Sequence, residues 1–247
     1  MKKPIINVDN VTICYKAGYA VSYKTIFKNL FKKKDNKVNK PFEAVKNVSF
    51  TVQRGETVGI VGENGSGKST LLRALVGIYH PDKGEVKVDS EKVSLLALGI
   101  GFQSRLTGYQ NIFLSGYAMG FKKQEIERKL DEIIEFSELG EFIYKPVKTY
   151  SSGMYSKLAF AISSTLSTGV LLIDEVLSVG DIRFQRKSQA RIMEMINDKE
   201  RSVVIVSHSD DVLREICNKI VWLHKGELKM FGEANEVLDA YTSFMRN

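Results

Sequence analysis

The stretch Val58 to Thr70, V-G-I-V-G-E-N-G-S-G-K-S-T, limits what this chain can fold into more than any other part of it. An apolar run (Val58, Ile60, Val61) leads into Gly62, and Gly62 to Ser69 complete G-x-x-x-x-G-K-S, the spacing of a phosphate-binding loop between a strand and a helix. Glycines at 62, 65 and 67 let the backbone turn tightly and bring its N–H groups up to an anion. Glu63, Asn64 and Ser66 fill the other positions of that cradle. Lys68 is placed to reach the β- and γ-phosphates, and the Ser69 hydroxyl to ligate Mg²⁺. Thr70 to Val76 reads as a helix, so the phosphates would lie over its N-terminus, where unpaired donors favour negative charge. The bland alternative is a glycine-rich strand-to-helix turn carrying an incidental lysine.

With 247 residues, 43% of them hydrophobic, the chain can bury a substantial core. No apolar run approaches the roughly 20 residues that cross a bilayer, and no signal-type segment follows Met1. The expectation is a protein of the cytosol unless a partner holds it at a membrane. Cys14 and Cys217 lack metal-type spacing and read as buried small residues in a reducing compartment.

The net charge of +7 is concentrated. Between Lys16 and Lys40 eight lysines face one acid, Asp35, so this segment alone carries +7 and the remainder of the chain is neutral. A neutral domain with a basic insertion, about 16–41, describes it better than a basic protein. Inside the insertion Ser22 is a plausible N-cap. Tyr23, Ile26, Phe27, Leu30 and Phe31 then share one helical face, with Lys24, Lys28 and Lys32 on another. Residues 22–34 therefore read as a helix suited to an anionic membrane surface. The competing reading packs the aromatic stripe on the parent domain. Nucleic acid is not expected as a partner, because the lysines come without the arginine and base-stacking pattern of a dedicated reader.

Ile5 to Tyr15 alternates as a strand, and Tyr15 is placed to stack on adenine, worth about 1–3 kcal/mol by analogy with base stacking. Tyr19, Tyr23 and Phe42 are rivals, and a plain strand-capping tyrosine is the structural alternative. Phe42 to Val52 resumes strand character, and 84–98 reads as one or two short strands after a turn at His80 to Gly84. From about 104 to 168 the pattern turns helical, over 109–120, 122–137 and 152–166. Strands return at 169–173, 202–206 and finally 220–223. The class is α/β, a mixed β core with an inserted helical subdomain in a single domain.

Val170 to Ile173 is an apolar strand ending in Asp174 and Glu175. A buried parallel strand delivers such side chains to the carboxyl edge of its sheet, where ligands bind. There Asp174 can hold Mg²⁺ and Glu175 can take a proton from an attacking water. Val203 to Val206 is a second apolar strand, tipped by Ser207 and His208, and His208 can hydrogen-bond a γ-phosphate. His80 and His224 have no such context. Ser151, Ser152 and Gly153 open a helical run, either as an anion-binding N-terminus or as an ordinary cap.

In order, the loop 62–69, the serine-glycine motif 151–154, the acids 174–175, Asp181 and His208 resemble the ATP-binding subunit of ABC transporters over nearly the whole chain. Within that group the chain is similar to the polysaccharide exporters of teichoic acid and O-antigen. That likeness rests on Gly101-Phe102-Gln-Ser-Arg-Leu106-Thr-Gly108-Tyr-Gln-Asn111, Lys148-Thr-Tyr150-Ser-Ser-Gly-Met-Tyr155 and Asp174-Glu-Val-Leu-Ser-Val-Gly-Asp181.

The resemblance implies an ATPase working as a head-to-tail homodimer with two ATPs between the copies. Tyr15 would face adenine, 62–70 the phosphates and Mg²⁺, Glu175 the water and His208 the γ-phosphate, while Ser151 to Gly153 would touch the mate's ATP. Two permease subunits would hold the pair at the cytoplasmic face of the membrane. Ser152 and Met154 depart from the wider ABC pattern, where glycine and glutamine are usual. Gln103 is the candidate for the Mg²⁺-contacting glutamine, though a strict count to Leu106-Thr107 falls several residues earlier. Some exporter ATPases carry a C-terminal carbohydrate-binding sandwich, for which no room is expected after Asn247. Rival functions are an importer ATPase and a soluble ABC ATPase acting on nucleic acid or ribosomes.

Overall fold

The computed structural model describes residues 3–15, 41–90, 93–96, 99–174, 180–207 and 209–246. The expected helix over 22–34, Glu175 and His208 lie outside the described residues. Nine strands fall into two sheets among those described. β1 (Ile6–Tyr15) pairs antiparallel with β2 (Phe42–Val52) on one side and β4 (Lys83–Val88) on the other. The larger sheet runs β5 (Val93–Leu96), β6 (Val170–Ile173), β7 (Ser202–Val206), β3 (Thr57–Val61), β8 (Lys219–His224) and β9 (Glu227–Glu233). Its first five strands are parallel, and β9 folds back antiparallel on β8.

The central strands read as continuous apolar runs because both faces of the sheet are covered. In β6, Val170 and Leu172 join the core shared with β1, β2 and helix α1 (Lys68–Leu75), while Leu171 and Ile173 point into the core under the helices. β7 divides the same way: Val204 and Val206 on one side, Val203 and Ile205 on the other. The period of two along each strand thus partitions one sheet between two hydrophobic cores. Burial of each such side chain contributes about 1.5–3 kcal/mol, so the strand tips are held by some of the best-buried residues in the chain.

The helical block comprises α2 (Gly108–Ala118), α3 (Lys123–Ser137) and α4 (Ser152–Thr165). A capping box starts α2: the Gln110 N–H donates to Thr107 Oγ1 at 3.1 Å, and Gln110 Oε1 accepts from the Thr107 N–H at 3.0 Å. α4 is capped by Ser151, whose Oγ accepts from the Met154 N–H at 3.2 Å. Three further helices follow β6: α5 (Ile182–Asn197), α6 (Asp210–Ile216) and α7 (Ala234–Arg246).

Two expectations need correcting. The strand at 220–223 is not the last: Lys225 and Gly226, at φ 50 and φ 87, form a tight turn into β9, and α7 then packs Tyr241 and Phe244 against Trp222. β9 escaped notice because it is an edge strand, half-exposed and polar along much of its length. Nor are the cysteines buried outright; both are half-buried, with burial pushing the Cys217 thiol up to about 12 and raising that of Cys14 as well, with Asp82 adding to the latter. Among the described residues no helix is long and apolar enough to cross a membrane.

Candidate functional site

Register brings the chemistry-bearing strand tips together. Ile60 pairs with Val206 and Ile173 with Ile205, so the loop after β3, Asp174 after β6 and Ser207 after β7 emerge side by side at one carboxyl edge. A cleft of about 260 Å³ opens there, lined among others by Tyr15, Asn64, Gly65, Gly67, Lys68, Ser69, Thr70 and Asp174.

The loop is shaped for a ligand that approaches its backbone. Gly62 has φ 150 and Gly67 φ 101. A Cβ on Gly62 would lie 2.2 Å from the Leu223 carbonyl oxygen, and one on Gly67 2.4 Å from that of Ala44, so both must be glycine on space as well as conformation. Gly67 caps α1 without any side-chain hydrogen bond, which leaves the start of that helix to its main-chain donors. Ser66 is buried, and its Oγ has no hydrogen-bond partner among the described residues. An orphaned hydroxyl inside an N–H-lined loop suits a polyanion. Lys68 is buried too, its Nζ donating to the carbonyls of Gly62 at 2.7 Å and Glu63 at 3.0 Å. The ammonium is therefore held at the floor of the loop, where it offers charge to the cleft.

The other sequence candidates divide. Tyr15 stands at the cleft wall, its hydroxyl 3.1 Å from Thr70 Oγ1 and its ring edge-on to Tyr79. Its rival Phe42 is its cross-strand partner, lines the same cleft and is 64% exposed. Tyr19 and Tyr23 lie outside the described residues. Ser69 and Asp174 share the cleft, and a hydroxyl with a carboxylate is an oxygen donor pair of the kind Mg²⁺ takes when substrate phosphates supply the rest. Among the described residues no group of three His, Cys, Asp or Glu side chains is placed to hold a metal ion.

Gln103 is not among the residues lining the cleft. Its N–H donates to Asn111 Oδ1 at 2.7 Å and its carbonyl accepts from Asn111 Nδ2 at 3.1 Å, which pins it to the start of α2. Ser151, Ser152 and Gly153 are likewise outside the cleft, with the two serines exposed at the tip of α4. A Cβ on Gly153 would meet only Ser151 Oγ, at 3.8 Å. This helix end is exposed and uncrowded.

His224 was given no role by the sequence. In the fold its Nδ1 lies 3.1 Å from Glu63 Oε2, near enough to pair when the ring is protonated but misaligned for a hydrogen bond. No local signal predicts this contact, which exists because β8 lies beside β3. Asp181, noted in sequence as part of a motif, caps α5 through the Phe184 N–H at 3.0 Å. The Lys157 ammonium, 2.8 Å away, together with that cap holds the Asp181 carboxyl down to about 2.

A loop that cradles phosphates, a carboxylate beside its serine and an aromatic wall make a nucleoside triphosphate site. The ABC transporter family model matches residues 45–178. The chain belongs to the ABC transporter family. It is similar to the teichoic acids export ATP-binding protein of Staphylococcus epidermidis, 44% identical over 98% of this chain and 89% of that one. It is also 38% identical to the O-antigen export system ATP-binding protein of Klebsiella pneumoniae, over 98% and 99%. The corresponding teichoic acids export protein of Bacillus anthracis is longer, and this chain spans 44% of it at 40% identity. Among solved structures, the dimeric post-hydrolysis state of an ATP-binding cassette bound to ADP and Pi superposes with a TM-score of 0.69 at 22% identity, over 93% of this chain and 98% of that one. The α/β class with a mixed sheet is thus that of an ABC cassette.

Proposed function

We propose that this ABC cassette is the ATP-hydrolysing subunit of an exporter that moves a lipid-linked polysaccharide, a teichoic acid in the first instance, across the cytoplasmic membrane. The observation that carries the choice of polymer is similarity running through 98% of the chain to a teichoic acids export protein. O-antigen or another polysaccharide is the second reading, favoured by the end-to-end match to an O-antigen export protein.

In one copy, the loop 62–70 binds the phosphates of ATP and Tyr15 faces the adenine. Ser69 and Asp174 would hold Mg²⁺, which neutralises phosphate charge when bound. Glu175 follows Asp174 in the chain and accepts the proton of the attacking water; His208, two residues after Val206 in the sequence, donates to the γ-phosphate. The tip of α4 belongs to a different ATP. Its exposed serines and uncrowded Gly153 support a head-to-tail pair in which each copy closes its mate's cleft, so that ATP joins the copies and hydrolysis parts them.

An integral permease would couple to this cycle. A groove between α1 and the helical block, lined by Val76, Ile78, Ile100 and Met119 and flanked by exposed Tyr117, offers it an apolar seat. The basic segment 22–34 is assigned to the anionic membrane surface at its cytoplasmic face. Deleting it should impair transport in reconstituted vesicles more than hydrolysis, and equal loss of both would refute that assignment.

Light scattering of Glu175→Gln with magnesium and ATP tests the central claim. Conversion to a dimer that Lys68→Ala or removal of ATP reverses is expected. A monomer with ATP bound, both alone and beside the co-purified membrane subunit, would overturn the reading.

A further inference from the structure

The phosphate loop is backed by a single turn. Leu223, His224 and Gly226, where β8 passes into β9, all bear on it: the Leu223 carbonyl leaves no room for a Cβ on Gly62, and the Gly226 N–H donates to the Ser66 carbonyl at 3.2 Å. Between those contacts His224 brings its Nδ1 within 3.1 Å of Glu63 Oε2. Glu63 is the one acid of the loop 62–70, yet it is not among the residues lining the cleft, so its charge sits behind the phosphates' seat. α7 holds the imidazole in place. Phe244 meets the ring edge-on at 5.1 Å and also packs on Trp222 at 5.3 Å, beside Tyr241.

Three side-chain polar atoms are buried without a hydrogen-bond partner among the described residues, and two of them border this loop: Ser66 Oγ and His224 Nδ1. A buried polar atom left unpaired is costly, and this nitrogen lies at bonding distance from a carboxylate but misaligned with it. Protonation removes that cost, since an imidazolium carries an N–H on both nitrogens and a charge opposite to that of Glu63. Glu227, opposite His224 across the β8–β9 ladder, pairs with Lys46 of β2 at 3.5 Å. Lys225 stands exposed in the turn, Lys229 of β9 lies over the Phe244 ring at 5.5 Å, and Asp210 of α6 accepts from the Thr242 hydroxyl. Burial and the negative charges of Asp210 and Glu63 raise the Tyr241 hydroxyl, so the charge of Glu63 is felt on α7.

We propose that His224 is a positioning residue for the phosphate loop: when phosphates enter the cleft its imidazole takes up a proton from solvent, closes on Glu63 and offsets the loop's own negative charge. A carboxylate behind the loop opposes a polyanion in front of it, and a cation placed on that carboxylate favours the polyanion. By reciprocity, whatever a proton on His224 adds to phosphate binding, phosphate binding adds to the hold on that proton. His224 does this without touching nucleotide. The inference rests on loop 62–70 as the phosphate seat and on nothing in the head-to-tail pair.

Calorimetric titration of the full chain with magnesium and ADP, in two buffers of different ionisation enthalpy, reads affinity and proton uptake without turnover. Wild type should take up a measurable fraction of a proton more than His224→Gln. From about pH 6 to 8, where an ordinary imidazole changes charge, wild-type affinity should fall about threefold further than that of His224→Gln, the effect of one unit charge through partly hydrated protein. His224→Lys, a fixed cation, should keep the acid-end affinity of wild type across that range and lose the extra uptake. Glu63→Gln should remove the same uptake and slope, and add nothing on top of His224→Gln.

Equal uptake and equal slope in wild type and His224→Gln would overturn the inference. An affinity lowered in His224→Gln by one factor at every pH would overturn it too, since that marks mere support of the turn. Should thermal unfolding show that His224→Gln does not fold, a wild-type slope in Glu63→Gln would overturn it equally. If Lys68→Ala binds ADP as wild type does, the phosphate seat itself is misassigned and the inference falls with it.

Discussion

The helix N-termini of α1 and α4 are built on opposite principles. α1 begins at Gly67, whose backbone is walled in by the Ala44 carbonyl, with no side chain capping the helix. α4 begins at Ser151, which caps the Met154 N–H itself and stands exposed with open space around Gly153. The first is a pocket lined within one copy, because its donors are left over and backbone, Tyr15 and Phe42 wall it. The second is a surface: its first turn is already partly satisfied, so it offers weak binding alone and gains from a wall supplied by another molecule. In the proposed head-to-tail pair, a site divided in this way would make nucleotide occupancy and assembly the same event.

That contrast breaks most visibly at turnover. Glu175→Gln should retain ATP and lose hydrolysis by about 10²–10⁴-fold in a phosphate-release assay, the usual worth of a general base; near-normal release would remove Glu175 from the role. Next in size is Gly67→Ala, which adds a Cβ 2.4 Å from a carbonyl oxygen at φ 101. Left-handed strain of about 1–2 kcal/mol plus the clash should weaken ATP binding in an isolated copy by at least about tenfold by fluorescence titration. Retained affinity would mean the loop re-forms around the methyl.

Gly153→Asp probes the open end. A carboxylate there should leave ATP affinity of a single copy intact and reduce hydrolysis by about threefold or more, through repulsion from the mate's phosphates. Loss of affinity in a single copy instead would place Gly153 in its own cleft and erase the distinction drawn above.

The smallest effect concerns acid. The Asp181 carboxyl is held at about 2, below its ordinary 3.8, by Lys157 and its cap on α5. A depressed carboxyl contributes stability that is complete above the ordinary value and disappears as pH falls toward about 2. Urea midpoints of wild type and Asp181→Asn should therefore converge between about pH 4 and 2 and differ modestly above it. A constant gap across that window would show that the Lys157 pair carries no pH-dependent stability.

Much of the fold was legible because its signals are local. The loop 62–69 specifies strand, turn and helix within a dozen residues, and the apolar runs at 170–173 and 203–206 announce strands buried on both faces. The helical pattern over 109–120, 122–137 and 152–166 marks α2 to α4, and the serines at 151–152 mark the start of the last. β9 was missed because an edge strand satisfies only half its surface, so its pattern is diluted by polar residues, whereas Val237, Leu238, Tyr241 and Phe244 of α7 fall at helical spacing and were legible. Lys157 and His224 escaped for another reason: each meets its partner only through the packing of elements distant in sequence.

The sequence by itself determined that this chain binds phosphate on a strand–loop–helix and belongs among ABC cassettes, since glycine spacing and apolar period are properties of neighbouring residues. Only the tertiary structure decided that Asp174 joins the cleft while Ser151 to Gly153 stay outside it, that Tyr15 and Phe42 stand side by side at its wall, and that Lys157 of α4 reaches Asp181 at the start of α5. Those facts depend on strand order and helix crossing. Both are fixed when two cores close on one sheet, and no short stretch of residues encodes that closure alone.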